Sequence, residues 1–235
     1  MNCRTGRNPA VRPAALRDLE VYSSGPLPTP PPSVVVPKAA YPIDGNAKYG
    51  CCTLDGVGHL KEAWHAKYNL PYTGPTEAEV VKEYFAETGG PDTGLNEADV
   101  LKKWCGTGLF GSKLIAYAPV DPKNLLGIHQ SVAFYDGAYL GIKCPQSAQR
   151  NFANGEPWKY EGEETEDGHC VVAIGYNDRG ELEVATWGGI ATLTPGFCAH
   201  YLDEAWCLIS GILQQRKGDS LGIDITSLRA DLARV

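Results

Sequence analysis

The stretch that most constrains this chain is Asn46-Ala-Lys-Tyr-Gly50-Cys51-Cys52-Thr53, which runs without a break into Leu54-Asp-Gly-Val-Gly-His-Leu-Lys-Glu-Ala-Trp64-His-Ala-Lys-Tyr68. Leu54, Val57, Leu60, Trp64 and Tyr68 recur at steps of three and four, the signature of one buried helical stripe. A cysteine on the first turn of such a helix faces unpaired backbone N–H groups and the positive end of the macrodipole. Both favour the thiolate, the nucleophilic form of the side chain. Cys52 is therefore a candidate nucleophile, with Cys51 as an alternative. Asn46, six residues upstream, carries an amide that can donate to an oxyanion forming beside the sulfur, together with the backbone N–H of Cys52. Gly50 lets that backbone approach a substrate closely. The same pattern also suits thiols packed as small apolar groups, and Cys105, Cys144, Cys170, Cys198 and Cys207 fit core positions.

With 235 residues, 43% of them hydrophobic, the chain has material for one sizeable core. The net charge is −7, yet residues 1–40 carry Arg4, Arg7, Arg12, Arg17 and Lys38 against Asp18 and Glu20. A basic arm precedes an acidic body. Such a body lacks the basic face that nucleic-acid binding needs, and no apolar run reaches membrane-spanning length, so neither nucleic acid nor membrane is an expected partner. Arginines are scattered through the N-terminal apolar residues, so no Sec signal peptide is expected, and the eight cysteines are expected to stay reduced. No chelating pair such as CxxC is present, so neither a metal nor another cofactor is expected.

Along the chain, residues 1–40 end in Pro26-Leu-Pro28-Thr-Pro-Pro-Pro32-Ser-Val-Val-Val-Pro37, a density of proline that forbids helix. This is read as an arm, with one short helix within Ala10–Val21, that binds a partner or other copies of the chain and in which Val34, Val35 and Val36 can add an edge strand to a neighbour. Residues 41–212 form the domain and 213–235 a polar tail with an amphipathic end. Thr76-Glu-Ala-Glu79 and Asn96-Glu-Ala-Asp99 predict two helix starts, and a third helix is predicted over Asp121–Gln130. Ser131–Phe134, Ala138–Cys144, Cys170–Tyr176, Leu182–Trp187 and Ala205–Leu213 are predicted strands, with a hairpin turn at Asn177–Gly180. His59 and His65 fall on the polar face of the central helix and are expected in solvent.

Gly168-His169-Cys-Val-Val-Ala-Ile-Gly175-Tyr176 places a histidine at the mouth of a strand apolar on both faces. If that sheet packs on the central helix, Cys52 and His169 meet as nucleophile and general base for acyl transfer. At these residues the sequence resembles the papain-like cysteine peptidase superfamily, whose members carry a glutamine six residues before the cysteine and a strand of the form G-H-[AC]-V-x-x-[VI]-G-Y. The resemblance spans Tyr41 to Ser210. It implies an α+β papain-like fold, a helical half followed by an antiparallel sheet half, with Asn46, Cys52 and His169 in the oxyanion, nucleophile and base positions. The sequence is similar, closer still, to phage and actinobacterial papain-like proteins with G-N-x-x-Y-G-x-C-T and T-W-G, here Gly45–Thr53 and Thr186–Gly188.

Three departures qualify that resemblance. Asn46 is one methylene shorter than the glutamine, Thr53 replaces an aromatic residue, and the orienting asparagine falls on Ala185. Thr186 can take the Nδ1 proton of His169, although strand alternation is expected to aim it away from the Ala185 face. Trp187 is expected to lie over His169 as a lid. Two readings follow: a cysteine hydrolase of peptide or amide bonds, or a weakly active or inactive papain-like scaffold in a phage particle, with the protein in the cytoplasm or a virion. The run Glu161-Gly-Glu-Glu-Thr-Glu-Asp167 is expected to favour the imidazolium of His169 and to attract basic substrate residues.

Overall fold

The computed structural model describes residues 3–72, 74–218 and 222–235; residues 1–2 of the arm, residue 73 and residues 219–221 of the tail lie outside the described residues. In chain order the elements are β1 (Arg7–Asn8), a 3-10 turn (Leu19–Tyr22), α1 (Cys52–Lys67), α2 (Glu77–Thr88), β2 (Leu95–Asn96), α3 (Glu97–Gly106), β3 (Leu114–Pro119), α4 (Leu125–Tyr135), β4 (Ala138–Lys143), α5 (Gln146–Asn154), β5 (Gly168–Tyr176), β6 (Leu182–Thr186), β7 (Gly189–Leu193), α6 (Pro195–Tyr201), β8 (Leu202–Ser210), α7 (Gly211–Lys217) and α8 (Ile225–Leu232). The strands from β3 onward form an antiparallel sheet in the order β3-β8-β4-β5-β6-β7. Helices lead and the sheet follows, the α+β order expected from the sequence.

Helix α1 lies against β5 and β6. Its Leu54, Val57, Leu60 and Trp64 are buried, as the periodicity requires, and Trp64 stacks on Trp104 of α3 at 5.5 Å. Two features bring the helix unusually close to the sheet. Gly56 has no Cβ, and one added there would sit 3.0 Å from the Tyr139 ring and 3.2 Å from Val172. The Tyr139 hydroxyl reaches across to donate to the Thr53 carbonyl. The second face of α1 is covered as well, so Asp55, His59, Lys61 and Glu62 are all buried.

His59 is therefore not in solvent. Its Nε2 lies 2.6 Å from the Pro42 carbonyl and 3.4 Å from Asp55, with the Tyr41 ring edge-on. Burial drives its pKa down to about 4, and drives Glu62 up to about 8 and Asp44 up to about 6. The wheel of α1 marked one apolar stripe correctly, but a second layer, the turn at residues 41–44 and the loop at Pro75, closes over its polar side.

Caps decide where several elements end. Thr76 and Glu79 form the capping box, and Asn96 accepts from the Asp99 N–H. Ser131–Phe134, predicted as a strand, is instead the second half of α4. Asn124 caps that helix, and it runs to Asp136 at φ 67. A short apolar run fits a buried helix as well as a strand, and the cap at Asn124, seven residues before it, decides the matter. The last strand stops at Ser210, whose hydroxyl caps α7 by accepting from Leu213 N–H. Within Ala10–Val21 only the 3-10 turn forms.

The arm packs on its own domain. Leu16, Leu19 and Tyr22 are core residues. Tyr22 and Arg17 bind Asp231 of α8 at 2.8 and 2.9 Å, Gln130 donates to the Pro28 carbonyl, and Val34 exchanges two backbone hydrogen bonds with Tyr176 at the end of β5. The prolines leave few backbone donors needing partners, which suits an extended strap along a surface.

Gly56→Ala should lower unfolding free energy by about 1–3 kcal/mol, the cost of overpacking a close contact, measured by chemical denaturation; an unchanged midpoint would show that the helix can stand off. The folded His59 imidazole resists protonation until about pH 4. The unfolded one takes a proton near pH 6.5, so its contribution to stability is lost as pH falls between those values. Glu62 acts in the opposite sense, holding a proton in the folded state that the unfolded chain has released. His59→Gln, which keeps a donor for Pro42, should therefore cost less melting temperature at pH 5 than at pH 8. Parallel pH profiles for the two proteins would refute this account.

Candidate active site

Cys52 is the first residue of α1, and His169 is the second of β5, the strand on which α1 packs. The backbone N–H of Cys170, next to His169, acts on the Cys52 sulfur in favour of a thiolate. Burial opposes it more strongly and pushes the thiol up to about 12, with Asp55 and Glu97 adding to the rise. His169 is buried too, and its pKa falls to about 3, through desolvation first and the neighbouring Arg7 guanidinium second. At neutral pH the Cys52 thiol and the His169 imidazole are therefore both uncharged. Neither the helix terminus nor the acidic run before His169 outweighs desolvation here, contrary to the expectation from sequence.

The imidazole is oriented by Thr186. Its Nε2 lies 2.7 Å from the Thr186 hydroxyl, while Nδ1 is buried and has no partner among the described residues. The nitrogen engaged is Nε2 rather than the expected Nδ1, and the face opposite Ala185, to which strand alternation aims Thr186, is the one that carries His169. In the antiparallel register Val172 pairs with Ala185, so Thr186 faces Val171 and shares a sheet face with His169, two residues away. Ala185 belongs to the other face. A hydroxyl that accepts from Nε2–H fixes the tautomer in which Nδ1 is the basic nitrogen.

Trp187 stacks on His169 at 4.3 Å with an interplanar angle of 19°. It reaches this place through the two-residue hairpin Trp187-Gly188 between Thr186 and Gly189, with φ of 44° and 82°. Both central residues at positive φ are what a tight hairpin of the favoured twist demands, and a tryptophan there carries strain on the order of 1–2 kcal/mol. The lid expected from the sequence is thus present, held by the Trp187 indole N–H donating to the Arg4 carbonyl at 3.0 Å.

Asn46 is fully buried, but its amide nitrogen donates to Tyr49 O at 2.9 Å, and its Oδ1 is without a partner among the described residues. It stands at the base of the site with its amide engaged in its own turn. Cys51 points elsewhere, its sulfur 3.7 Å from the Asp44 carbonyl, and burial raises its pKa.

Sequence reading missed the segment that fills the space in front of these residues. Arg4 N–H donates to the Asn46 carbonyl, Gly6 N–H to the Gly168 carbonyl and Leu95 N–H to the Gly6 carbonyl, at 3.0, 3.0 and 3.1 Å. β1 thereby pairs with β2 as a parallel strand. The passage is narrow. A Cβ on Gly6 would lie 2.2 Å from Gly50 Cα, and one on Gly168 would lie 2.1 Å from the Arg7 carbonyl oxygen. Arg7 follows into a buried pocket, where it pairs with Asp203 at 2.7 Å and Glu204 at 2.8 Å. The one available signal was charge, a basic arm ahead of an acidic body. The acidic run itself is largely engaged locally. Glu163 accepts from the Gln146 and Ser147 N–H groups at the start of α5, Glu161 from Asn151, and Glu166 pairs with Lys143.

No family model and no curated protein matches the sequence. Among solved structures, the chain is similar to xylellain, a cysteine protease from Xylella fastidiosa. The TM-score is 0.66 and the identity 14%, over 89% of this chain and 97% of that one. It is also similar to digestive procathepsin L 3 of Tenebrio molitor larval midgut, with TM-score 0.49 and 14% identity, over 88% and 76% of the two chains. A third is a recombinant stem bromelain precursor, with TM-score 0.44 and 14% identity, over 82% and 79%. The chain has the papain-like cysteine protease fold.

Proposed function

We propose that the protein is a cysteine hydrolase of peptide or amide bonds. Cys52 attacks the carbonyl carbon, and His169 Nδ1 takes the thiol proton and returns it to the leaving nitrogen. Thr186 holds the ring, and the Cys52 N–H with the Asn46 amide receives the oxyanion. The observation that carries this reading is the division of the imidazole: Nε2 is taken by Thr186 and Nδ1 is left without a partner among the described residues, while the N–H of the adjacent Cys170 reaches the sulfur of Cys52 at the start of α1. The alternative, a weakly active or inactive scaffold of a phage particle, drew on Ala185 standing in the orienting position and on the proline-rich strap; the Thr186 hydroxyl at 2.7 Å from Nε2 weakens the first ground, and the packing of the strap on its own domain weakens the second.

In the resting chain the arm excludes substrate and water, and desolvation keeps the pair neutral. Lifting the arm hydrates the site and removes the Arg7 charge from His169, both of which favour the imidazolium. Activity thus requires displacement of residues 4–7.

The test is labelling with a thiol-reactive acylating probe, the modified residue being located by mass spectrometry. Cys52 in the wild-type chain should label slowly at pH 7. Gly6→Val, whose side chain cannot pass Gly50, should expel the arm and speed labelling at Cys52 by about tenfold or more, equivalent to ~1.4 kcal/mol, without changing Cys207, which lies by Ser131 and Asp136. His169→Ala in that background should abolish the gain. Labelling of Cys52 that never exceeds that of Cys207, or that ignores His169, would rule out the hydrolase reading. In the same assay Thr186→Val should lower the rate by about tenfold or more through loss of ring orientation, while Thr186→Ser retains it. Equal rates for Val and Ser would leave Thr186 with a packing role only.

A further inference from the structure

The pocket that receives Arg7 is lined by three acidic side chains, of which Arg7 engages two. Glu204 binds Nη1 at 2.8 Å, and Asp203 binds Nη2 through both oxygens at 2.7 Å. Glu97, the first residue of α3, closes the far side. It is wholly buried, and neither of its oxygens accepts from a nitrogen or oxygen donor, the Cys170 thiol alone lying beside it. Burial holds the Glu97 carboxyl well above the usual carboxylate range, with Arg7 pulling the other way, and Arg7 Nε has no partner among the described residues. Two carboxylates and a buried carboxylic acid thus surround one guanidinium whose side chain is 1% exposed. A clamp serving only to fasten the arm needs no third acid, because a buried carboxyl without a donor costs stability.

The pocket also lies where a substrate side chain must go. Arg7 directly follows Gly6, whose N–H is bound by the carbonyl of Gly168, the residue before His169. Gly141 of β4 forms its floor, and a Cβ there would sit 2.7 Å from Nη1. The opening of β1 along β2 presents the arm to the site as an extended strand, the form in which a peptide is held by backbone pairing.

We propose that Glu97, Asp203 and Glu204 form a specificity pocket for an arginine or lysine side chain of the substrate, and that Arg7 occupies it in the resting chain. The proposal rests on the hydrolase reading above and narrows it to basic peptides. Arginine fits best, since a planar fork meets the two oxygens of Asp203 and one of Glu204 at once.

The experiment uses the full chain carrying Gly6→Val, with Arg7→Met as a second variant that empties the pocket without a clash. Peptidyl electrophiles identical except for arginine, lysine or leucine near the reactive carbonyl are compared for the rate of Cys52 modification. Separately, a fluorescent peptide of residues 3–10 with serine for Cys3 is compared by anisotropy with the same peptide carrying citrulline in place of Arg7. The basic electrophiles should react about tenfold or more faster than the leucine one. The arginine peptide should bind about tenfold or more tighter than the citrulline peptide, and Asp203→Asn with Glu204→Gln should erase both preferences. Equal rates for basic and leucine electrophiles would overturn the pocket while leaving the hydrolase intact. If no electrophile reaches Cys52 faster than Cys207, the hydrolase reading fails and the substrate role of the pocket fails with it; tighter arginine binding then shows only a seat for Arg7, and equal binding removes that as well.

Discussion

The close seating of α1 on the central strand β5 is the contact from which the site follows. It depends on a missing side chain. Without a Cβ at position 56, the helix comes near enough for Tyr139 to bond the Thr53 carbonyl from below. That distance sets the helix N-terminus, and with it Cys52, beside the start of β5, where His169 stands. The sheet register then fixes the third partner, because pairing Val172 with Ala185 puts Thr186 on the histidine's face. Cys52, His169 and Thr186 thus come from three elements whose relative positions are set by main-chain pairing and one close-packed glycine.

A second consequence of that packing is dryness. Cys52 and His169 are both about 1% exposed, and in so apolar a site the helix terminus cannot by itself hold a thiolate. Desolvation of an ion outweighs a half-charge at a helix end by several kcal/mol. The arm completes this seal, since its carbonyl at Arg4 anchors the Trp187 indole over the imidazole. In this closed arrangement both groups are sealed from solvent and uncharged.

Much of this architecture was legible in the sequence, and the misses have physical reasons. The spacing of Asn46, Cys52 and His169 and the helix-then-sheet order are local patterns, and each survived into the structure as a position. His59 was misread because helical periodicity reports one face, and only tertiary structure tells whether another layer covers the second. Ser131–Phe134 was misread because burial on all sides erases the period that separates strand from helix. The role of Thr186 was half visible: the residue was legible, whereas the nitrogen it engages depends on rotation of the imidazole ring. The pocket of Glu97, Asp203 and Glu204 left no trace, because its members and Arg7 are separated by about ninety to two hundred residues and share no motif.

The attachment of the arm to the body it covers changes what any ligand of the cleft must overcome. A tethered segment competes at an effective concentration set by its tether, on the order of millimolar for short flexible links, and higher when the tether is itself docked, as here by Leu16, Leu19 and Tyr22 in the core. A free peptide with the same intrinsic contacts as residues 4–7 would see its apparent affinity reduced by the fraction of time the cleft stands open. Residues 4–7 thus raise the concentration at which any such peptide fills the cleft, and whatever draws the arm away lowers it again.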